Sequence, residues 1–499
     1  MRPGVLSSSL ALLSSVLLVL AFPHFDLSWL ATIALAPWLV ALAREESAWK
    51  RFGISWLTGI VYWFGVCYWI QFVMAYHGGM GEAAGWGVFL LFCLAKGLHF
   101  AVFGWLAGYV VGRWWSIPVL AALWTGIERT HGPLGFAWLT LGNAGADMSL
   151  PLRLAPLVGV YGLSFLFVMM SASLAAVLTG RPRRELLWLS LLLLLFVLPD
   201  LPEHRRGTNA AVLLQPNIDQ ELKWTTESHD EIVQRLTLRS LQSALGGGPE
   251  RKPEFIVWPE VPAPFYYENP RFQEVVNDLA RTAAMPALIG VVGRTQEGSP
   301  LNSAVMVSPN GTLVDRYDKM FLVPFGEFVP FPFKAFIEKI STETGDFTQG
   351  ARVVSFPLPG GQKAGAFICY ESAFPHLVRQ FALAGGTVLV NMSNDGYFGR
   401  TAAREQHLKL VRMRAAENRR WTLRATNDGI TATIDPAGRL VQRLQPYIEV
   451  AARTRFQYVA ETTPYTRYGD WFAWTCLAAG IGAVAKIKVL DVIRRHSHS

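Results

Sequence analysis

The 499-residue chain is poor in charged residues. Asp, Glu, Lys and Arg together make up 16% of it, whereas soluble proteins contain roughly 25%. Hydrophobic residues make up 51%, and the chain has 18 Trp and 30 Phe, which suit the interface between a membrane and water. The composition therefore favours one membrane domain joined to one large soluble domain over two or three soluble domains.

Cysteine is also scarce. Three of the four cysteines, Cys67, Cys93 and Cys476, lie in long apolar runs, where a thiol usually packs as a small hydrophobic group. Cys369 is the only cysteine in the more polar part of the chain. It cannot form a disulfide within that part, so it is a candidate nucleophile.

Several sequence signatures are missing altogether. The chain has no GxGxxG motif, no phosphate-binding loop, no internal repeat and no low-complexity linker. Its soluble part has no Cys/His cluster with the spacing of metal ligands, so we expect neither a cofactor nor a metal. The net charge of +8 comes from basic residues scattered over many loops, so we expect no nucleic-acid partner.

Eight apolar runs divide the chain into a membrane part and a soluble part. A spanning helix needs roughly 17–25 residues, so we predict eight spans, seven before the soluble part and one after it. The first run follows Arg2 without a convincing cleavage site, and another run follows at once, so we interpret it as a retained helix. The runs cover residues 6–22, 28–43, 53–75, 84–112, 114–128, 154–179, 185–199 and 470–487.

The short loops indicate how the spans are oriented. Loops that carry Lys or Arg alternate with loops that carry none, such as 23–27 and 75–82. Because basic loops stay in the cytoplasm, we predict cytoplasmic termini and a soluble domain on the outer side, the periplasm of a bacterium. The pair Arg205–Arg206 departs from this pattern, which matters less before a large translocated domain. The basic positions are Arg44, Lys50, Arg51, Arg113, Arg181, Arg183, Arg184, Lys486, Lys488, Arg494 and Arg495.

Short strand-like and helix-like segments alternate between residues 207 and 467. The alternation predicts an α/β sandwich, and continuous Val/Ile/Leu runs indicate strands buried on both faces. We predict three parts: an N-terminal transmembrane domain (1–206), a soluble domain (207–467) and a C-terminal transmembrane helix with its tail (468–499). The predicted strands are 210–214, 255–258, 287–292, 303–307, 364–369, 387–391, 422–425 and 431–434, and the predicted helices are 228–245, 270–284, 375–384 and 401–419.

Three motifs each place a reactive side chain just after an apolar strand. They are VWPE, which ends at Glu260, RYDK, which ends at Lys319, and ICYE, which contains Cys369. A carboxylate within hydrogen-bond reach can take the proton of a thiol, and the resulting thiolate attacks carbonyl carbon well. A cation such as Lys319, together with the backbone N–H of Tyr370, would stabilise the oxyanion that forms.

Each motif also has a purely structural interpretation. Taken singly, a core thiol, a Glu that caps a turn and a solvated Lys are all more common than catalytic groups. The joint occurrence of the three at strand ends favours catalysis. Inside the predicted spans, the polar residues Lys96, His99 and Glu128 have two interpretations of equal weight, as paired or snorkelling charges and as functional groups.

At these motifs the sequence resembles the nitrilase superfamily, whose members carry a Glu-Lys-Cys triad on an αββα sandwich. With its membrane helices, the whole chain resembles the bacterial apolipoprotein N-acyltransferases. The resemblance is most specific in the blocks DRYDKMFLVPFGEFVP (315–330), ICYE (368–371) and SNDGYFG (393–399). The early helices match only in number and general character.

The resemblance implies a role for each motif residue. Glu260 would be the general base, Lys319 the stabiliser of the transition state and Cys369 the nucleophile. It also implies supporting residues of the active site and aromatic residues of loops that contact lipid. The supporting residues are Asn302, Glu327, Tyr370 and Glu371, and the aromatic residues are Trp138, Trp224 and Phe325.

The reaction implied by the resemblance is a ping-pong acyl transfer. Cys369 would take an acyl chain from a phospholipid, with phosphatidylethanolamine the expected donor, and pass it to the N-terminal amine of an apolipoprotein's diacylglyceryl-cysteine. This step completes lipoprotein maturation, and the enzyme is expected to be a monomer in the bacterial inner membrane.

Two alternatives stay open. One is a membrane-tethered nitrilase or amidase that hydrolyses a small C–N substrate, although a tether needs only one span. The other is a membrane scaffold with an inactive nitrilase domain, although the triad is intact.

Overall fold

The computed structural model describes residues 3–134, 136–219, 229–247, 251–263, 265–329 and 347–496. The chain divides into two compact units. The first contains Met1–Gln71, Ala83–Leu201 and Tyr468–Ser499, and the second contains Phe72–Glu82 and Pro202–Arg467. The three-part division predicted from the sequence, at 206 and 467, stays a prediction.

The first unit is helical, whereas the second mixes helices with two sheets. The α-helices formed by the described residues are α1 (Pro3–Leu20), α2 (Ala36–Arg44), α3 (Ala48–Val66), α4 (Trp69–Phe72), α5 (Gly81–Val110), α6 (Ser116–Arg129), α7 (Ser149–Leu152), α8 (Ala155–Val158), α9 (Val160–Leu178), α10 (Leu194–Val197), α11 (His229–Leu245), α12 (Pro270–Ala283), α13 (Pro375–Leu383), α14 (Ala403–Asn418), α15 (Pro464–Tyr468) and α16 (Trp471–His496). A π-helical turn covers Val73–His77, and longer 3₁₀ segments cover Ser28–Thr32, Leu141–Asp147 and Arg183–Leu193.

Three described helices are long and apolar enough to cross a membrane. They are α5, α9 and the part of α16 from Trp471 to Leu490, and a fourth candidate, α3 with Trp69–His77, is bent by 62°. Shorter apolar helices cover Gly4–Leu20, Ser28–Arg44 and Ser149–Val158. The predicted total of eight spans therefore stays a prediction.

The predicted span at 185–199 differs most from the structure. It forms a 3₁₀ segment followed by the four-residue α10, and the chain turns extended at Leu198. Leu198 precedes Pro199, and the residue before a proline avoids the helical conformation. The proline therefore accounts for the end of α10 at Val197, and α-helix covers only four residues of the predicted span.

Small residues and paired charges hold the helical unit together. A Cβ atom on Gly59 of α3 would lie 2.8 Å from the Cα of Gly97 of α5, so glycine permits this close helix contact. Arg129 forms a buried ion pair with Asp470. The Lys96 ammonium donates to the carbonyl oxygen of Phe136 at 3.0 Å.

Glu128 has partners of a similar kind. Its carboxylate accepts from the backbone N–H of Leu141 at 2.7 Å and from the indole of Trp124 at 3.3 Å. These contacts favour the interpretation of Lys96 and Glu128 as paired groups, whereas both ring nitrogens of His99 are buried without a hydrogen-bond partner among the described residues.

The second unit contains two six-stranded sheets. The first has the order β12-β1-β2-β3-β4-β5 and the second the order β11-β10-β9-β8-β7-β6. Strands β1, β2 and β3 are parallel, as are β7, β8 and β9, and each of the other strands runs antiparallel to the neighbours with which it pairs. The strands are β1 (Asn209–Gln215), β2 (Ile256–Val257), β3 (Ala287–Arg294), β4 (Pro300–Val307), β5 (Leu313–Asp318), β6 (Ser355–Pro357), β7 (Lys363–Ile368), β8 (Val388–Ser393), β9 (Thr422–Thr426), β10 (Ala432–Ile434), β11 (Leu440–Arg443) and β12 (Val450–Phe456).

Helices cover both outer faces, which confirms the predicted αββα sandwich. Apolar residues of α11 and α12, among them Leu236 and Val276, pack with the first sheet in one buried core. Helix α13 lies against the second sheet, and the buried helix α14 lies beside α13. The sheets meet face to face, where the hydroxyl groups of Thr433 in β10 and Thr454 in β12 share a hydrogen bond.

Candidate active site

The fold brings the ends of β2, β5 and β7 together. Lys319 and Cys369 directly follow β5 and β7, and Glu260 lies three residues after β2. Each residue lies directly or shortly after the end of a strand, so the sheet holds its side chain in position. The three residues singled out in the sequence motifs therefore converge, although up to 109 positions separate them in the chain (369 − 260).

Lys319 lies at the centre of this cluster and is 1% exposed. Its ammonium group lies 3.1 Å from Glu260 Oε1 and 2.9 Å from the Glu327 carboxylate. Burial lowers the pKa of Lys319, but the charges of Glu260 and Glu327 and the Cys369 sulfur outweigh burial and raise it well above its ordinary value. Lys319 is therefore a permanent cation.

The Glu260 carboxylate is oriented by three donors. Its Oε1 accepts from Lys319 and, at 2.7 Å, from the side-chain amide of Asn302. Its Oε2 accepts from the backbone N–H of Asn394 at 2.8 Å. A carboxylate held in this way has one defined orientation, as a proton acceptor needs.

Glu327 is the second carboxylate on the same cation. It also accepts from Asn302 Nδ2 at 2.7 Å and from the backbone N–H of Val323 at 2.8 Å. The amide of Asn302 thus bridges Glu260 and Glu327. Two carboxylates therefore share one ammonium group.

Cys369 has a strained backbone and a protonated thiol. Its φ angle is +49°, a left-handed conformation that costs about 1–2 kcal/mol for a residue with a Cβ atom. Burial and then the charge of Glu260 raise the pKa of the thiol, against the opposing charge of Lys319. Cys369 therefore needs a base to become a thiolate.

Glu371 ties the Lys319 loop to the nucleophile loop. One oxygen accepts from the Tyr317 hydroxyl at 2.6 Å and from the backbone N–H of Met320 at 2.7 Å, and the other from the N–H of Ile368 at 2.7 Å. Burial, the largest influence, raises the pKa of Glu371 to about 7. These contacts fix the spacing of the two loops.

A buried polar network lies behind the nucleophile, and the sequence motifs did not identify it. His407 of α14 lies 3.0 Å from the carbonyl oxygen of Cys369 and 3.0 Å from Asp395 Oδ1. Asp395 Oδ2 accepts from Arg424 at 2.7 Å, and its Oδ1 from Ser393 at 2.9 Å. The block SNDGYFG contained a signal, because Ser393 and Asp395 both belong to it.

The remaining candidates occupy different places. Tyr370 is buried and packs its ring on Phe374, with ring centroids 5.0 Å apart. Phe325 lies in a turn with φ at +61°. Trp138 belongs to the helical unit, where it packs against Trp69. The prediction for Trp224 lies outside the described residues.

Among the residues that the structure describes, no three His, Cys, Asp or Glu side chains are grouped to hold a metal ion. The expectation of a reaction without a metal or cofactor stays a prediction.

The fold and this cluster define a nitrilase-like enzyme. The family model described as carbon-nitrogen hydrolase matches residues 213–462, which include all three motif residues. A second family model, described as the apolipoprotein N-acyltransferase N-terminal domain, matches residues 14–173.

Curated relatives cover nearly the whole chain. The apolipoprotein N-acyltransferase of Geobacter metallireducens is 35% identical over 96% of this chain and 94% of the relative. Those of Nitrosomonas europaea and Ralstonia nicotianae are 33% and 32% identical, over 87% and 98% of this chain and 89% and 94% of theirs. The chain belongs to the apolipoprotein N-acyltransferase family. It is accordingly a membrane protein and an acyltransferase of the carbon-nitrogen hydrolase superfamily.

Solved structures are similar to about half of this chain, at lower sequence identity. A mutant amidase of Nesterenkonia sp. from the nitrilase superfamily is 16% identical, covering 51% of this chain and 92% of its own, with a TM-score of 0.39. A carbon-nitrogen hydrolase from Helicobacter pylori is 18% identical, covering 49% and 88%, with a TM-score of 0.38.

Proposed function

We propose that Cys369 transfers an acyl chain between two membrane-anchored substrates, with Glu260 as general base and Lys319 as the group that stabilises the oxyanion. One observation carries the proposal: a thiol, a permanent cation and two carboxylates meet in one cluster of a chain from an acyltransferase family. Membership of that family supports acyl transfer over both the amidase and the scaffold alternatives.

The first half-reaction acylates Cys369. Glu260 takes the proton of the thiol, and the thiolate attacks the ester carbonyl carbon of a phospholipid. Lys319 and the backbone N–H of Tyr370 stabilise the oxyanion. The ester C–O bond then breaks, the proton on Glu260 passes to the departing lysophospholipid oxygen, and a thioester remains on Cys369.

The second half-reaction passes the acyl chain to an amine. The α-amino group of an apolipoprotein's diacylglyceryl-cysteine attacks the thioester carbon, and Glu260 takes a proton from the attacking nitrogen. The C–S bond breaks, and this proton returns to the sulfur of Cys369. The products are an amide on the lipoprotein and the free enzyme.

We infer the donor and the acceptor from the family. The acceptor is a lipoprotein and the donor a membrane lipid, with the sn-1 chain of phosphatidylethanolamine the proposed source. A soluble enzyme would have to expose an extracted acyl chain to water at about 0.8 kcal/mol per CH₂ group. The apolar helices of this chain support a reaction at the lipid surface, where this exposure is avoided.

The location follows from the basic loops. We propose that the chain is a monomer in the inner membrane, with both termini cytoplasmic and residues 207–467 in the periplasm. Eight spans, seven of them before residue 207, would connect these sides. We propose that the loops around Trp224, Phe265–Tyr267 and Phe325–Phe333 shield the thioester from water.

Trapping the acyl-enzyme tests the proposal. Intact-protein and peptide mass spectrometry of the enzyme purified with native phospholipid should find a fatty-acyl mass on Cys369 that hydroxylamine removes. Cys369→Ala should abolish the adduct, and the control Cys93→Ala, which changes a buried thiol in α5, should keep it. A small-molecule adduct in place of the acyl chain would favour the amidase alternative, and no adduct would favour the scaffold.

A further inference from the structure

His407 lies directly behind the nucleophile and has no assigned part in the reaction. It is fully buried in α14, and its ring spans the gap between the Cys369 backbone and the Asp395 carboxylate. The Nε2 atom lies 3.0 Å from the carbonyl oxygen of Cys369, and the Nδ1 atom lies 3.0 Å from Asp395 Oδ1.

The partner of Nε2 decides which ring nitrogen carries a proton. A carbonyl oxygen only accepts hydrogen bonds, so Nε2 must donate to Cys369. The charges of Arg424 and His407 hold the pKa of Asp395 well below its ordinary value even against burial, which acts to raise it. The Asp395 side chain is therefore an ionised acceptor.

The bond from Nε2 to Cys369 is the same in both charge states of His407. In the imidazolium, Nδ1–H donates to Asp395. In the neutral ring, Nδ1 accepts instead from Arg424 Nη2, which lies 3.3 Å away. Burial and the charge of Arg424 lower the pKa of His407, against Asp395, but neither form frees Nε2 from the carbonyl.

This bond acts on the strained residue of the site. The Cys369 backbone is left-handed, and such a conformation persists only where its surroundings hold it. Turning the peptide away would move the thiol relative to Glu260 and Lys319. A hydrogen bond from a fully buried ring, itself fixed by an ion pair, opposes that rotation.

We propose that His407 is a positioning residue: its Nε2–H bond to the Cys369 carbonyl oxygen holds the nucleophile in the left-handed conformation that aims the thiol at Glu260 and Lys319. Asp395 and Arg424 set the tautomer and the orientation of the ring. The inference builds on the proposed function, but it concerns the geometry of the thiol and can be tested without a lipid.

Two substitutions of His407 test the roles of its two ring nitrogens separately. The amide nitrogen of Gln reaches the place of Nε2, whereas that of Asn reaches only the place of Nδ1. His407→Asn should slow acylation of Cys369 by phospholipid roughly 100-fold, the loss expected when a reacting group is misplaced by about 1 Å. His407→Gln should restore most of the rate. Equal loss in both variants while both remain folded would overturn the proposal.

A matched control removes the effect of stability. Val411→Ala deletes buried methyl groups one turn further along α14 and should lower the thermal midpoint without changing the rate per folded molecule. The pH profile of Cys369 alkylation by iodoacetamide gives a second measure. We expect a changed profile in His407→Asn and the wild-type profile in Val411→Ala, and a wild-type profile in both would contradict a positioning role.

Two further measurements test His407 if the wild type forms no acyl-enzyme or if His407→Asn does not fold. If the wild type forms no acyl-enzyme, the proposed function fails, yet the alkylation profiles still test His407. If His407→Asn does not fold, ¹⁵N NMR of histidine-labelled wild type, assigned by comparison with His407→Gln, gives the tautomer. Protonated Nε2 throughout the neutral range supports the proposal, and an Nδ1–H tautomer overturns it.

Discussion

Two groups of buried charges, one in each unit, are balanced in different ways. In the helical unit, Arg129 is matched by Asp470 and Lys96 by a backbone carbonyl group. In the α/β unit, Glu260 and Glu327 compete for the single cation Lys319 beside a thiol. A matched pair only holds structure together. An uneven cluster contains a carboxylate that can take a proton, and this is what acid–base chemistry requires.

Removing the shared cation should have the largest effect. Lys319→Met leaves two carboxylates facing each other and takes away the charge that stabilises the oxyanion. We expect about 2.7–4 kcal/mol less stabilisation of the transition state, or roughly 10²–10³-fold slower acylation of Cys369. Single-turnover kinetics with a phospholipid donor measure the rate. The control is Lys363→Met, which changes an exposed lysine of β7. Equal acylation rates in the two variants would show that the buried Lys319 has no greater effect on catalysis than a surface lysine.

Breaking the matched pair should instead affect stability alone. Arg129→Met removes the ion-pair partner of the buried Asp470, and should lower the free energy of unfolding by about 3–5 kcal/mol. Replacing both residues, as Arg129→Met with Asp470→Leu, should recover most of this loss because no unpaired charge remains. Thermal unfolding in detergent measures the effect. Slower Cys369 acylation in folded Arg129→Met would contradict a purely structural pair.

The pH profile of Cys369 alkylation measures how Glu260 and Lys319 each change the pKa of the thiol. The charge of Glu260 raises the pKa of Cys369 and the charge of Lys319 lowers it. Glu260→Gln should therefore shift the alkylation curve of Cys369 to lower pH, and Lys319→Met should shift it to higher pH. Acylation by lipid should fall in both variants, because one loses the base and the other the cation. Shifts in the same direction would mean that the two groups do not oppose each other at the sulfur.

The smallest effect is expected at the cysteines of the helical unit. Cys93 and Cys476 are buried and free, and we interpret them as packing groups. Their replacement by Ala should cost about 1 kcal/mol of stability or less and leave the acylation of Cys369 unchanged. Loss of acylation in either variant would show that the helical unit contains a second reactive thiol.

Inner strands were predictable from the sequence and edge strands were not. All eight predicted strands are present, with bounds within three residues of the prediction. The four strands that the pattern missed, β5, β6, β11 and β12, are the four sheet edges. An edge strand is partly exposed and lacks the continuous apolar run that identified the inner strands. β5 shows this, because five of its six residues in LVDRYD are either charged or exposed, and only Tyr317 is a buried aromatic residue.

The reactive side chains were accessible to sequence reasoning, and the family resemblance also named Asn302, Glu327 and Glu371, but the remaining supports were not accessible. Glu260, Lys319 and Cys369 belong to rare residue patterns at strand ends. The backbone N–H of Asn394, which orients Glu260, is a group that every non-proline residue has. His407 resembles any core histidine until its distance from Cys369 is known.

The π-helical turn at Val73–His77 has a consequence for synthesis of the chain. This turn belongs to the α/β unit, and His77 packs its ring on Tyr397, with centroids 4.9 Å apart. The ribosome releases residue 77 long before residue 397 exists, so this part of the second unit must wait while 320 further residues (397 − 77) are made. A version cut to begin at residue 202 would never receive it.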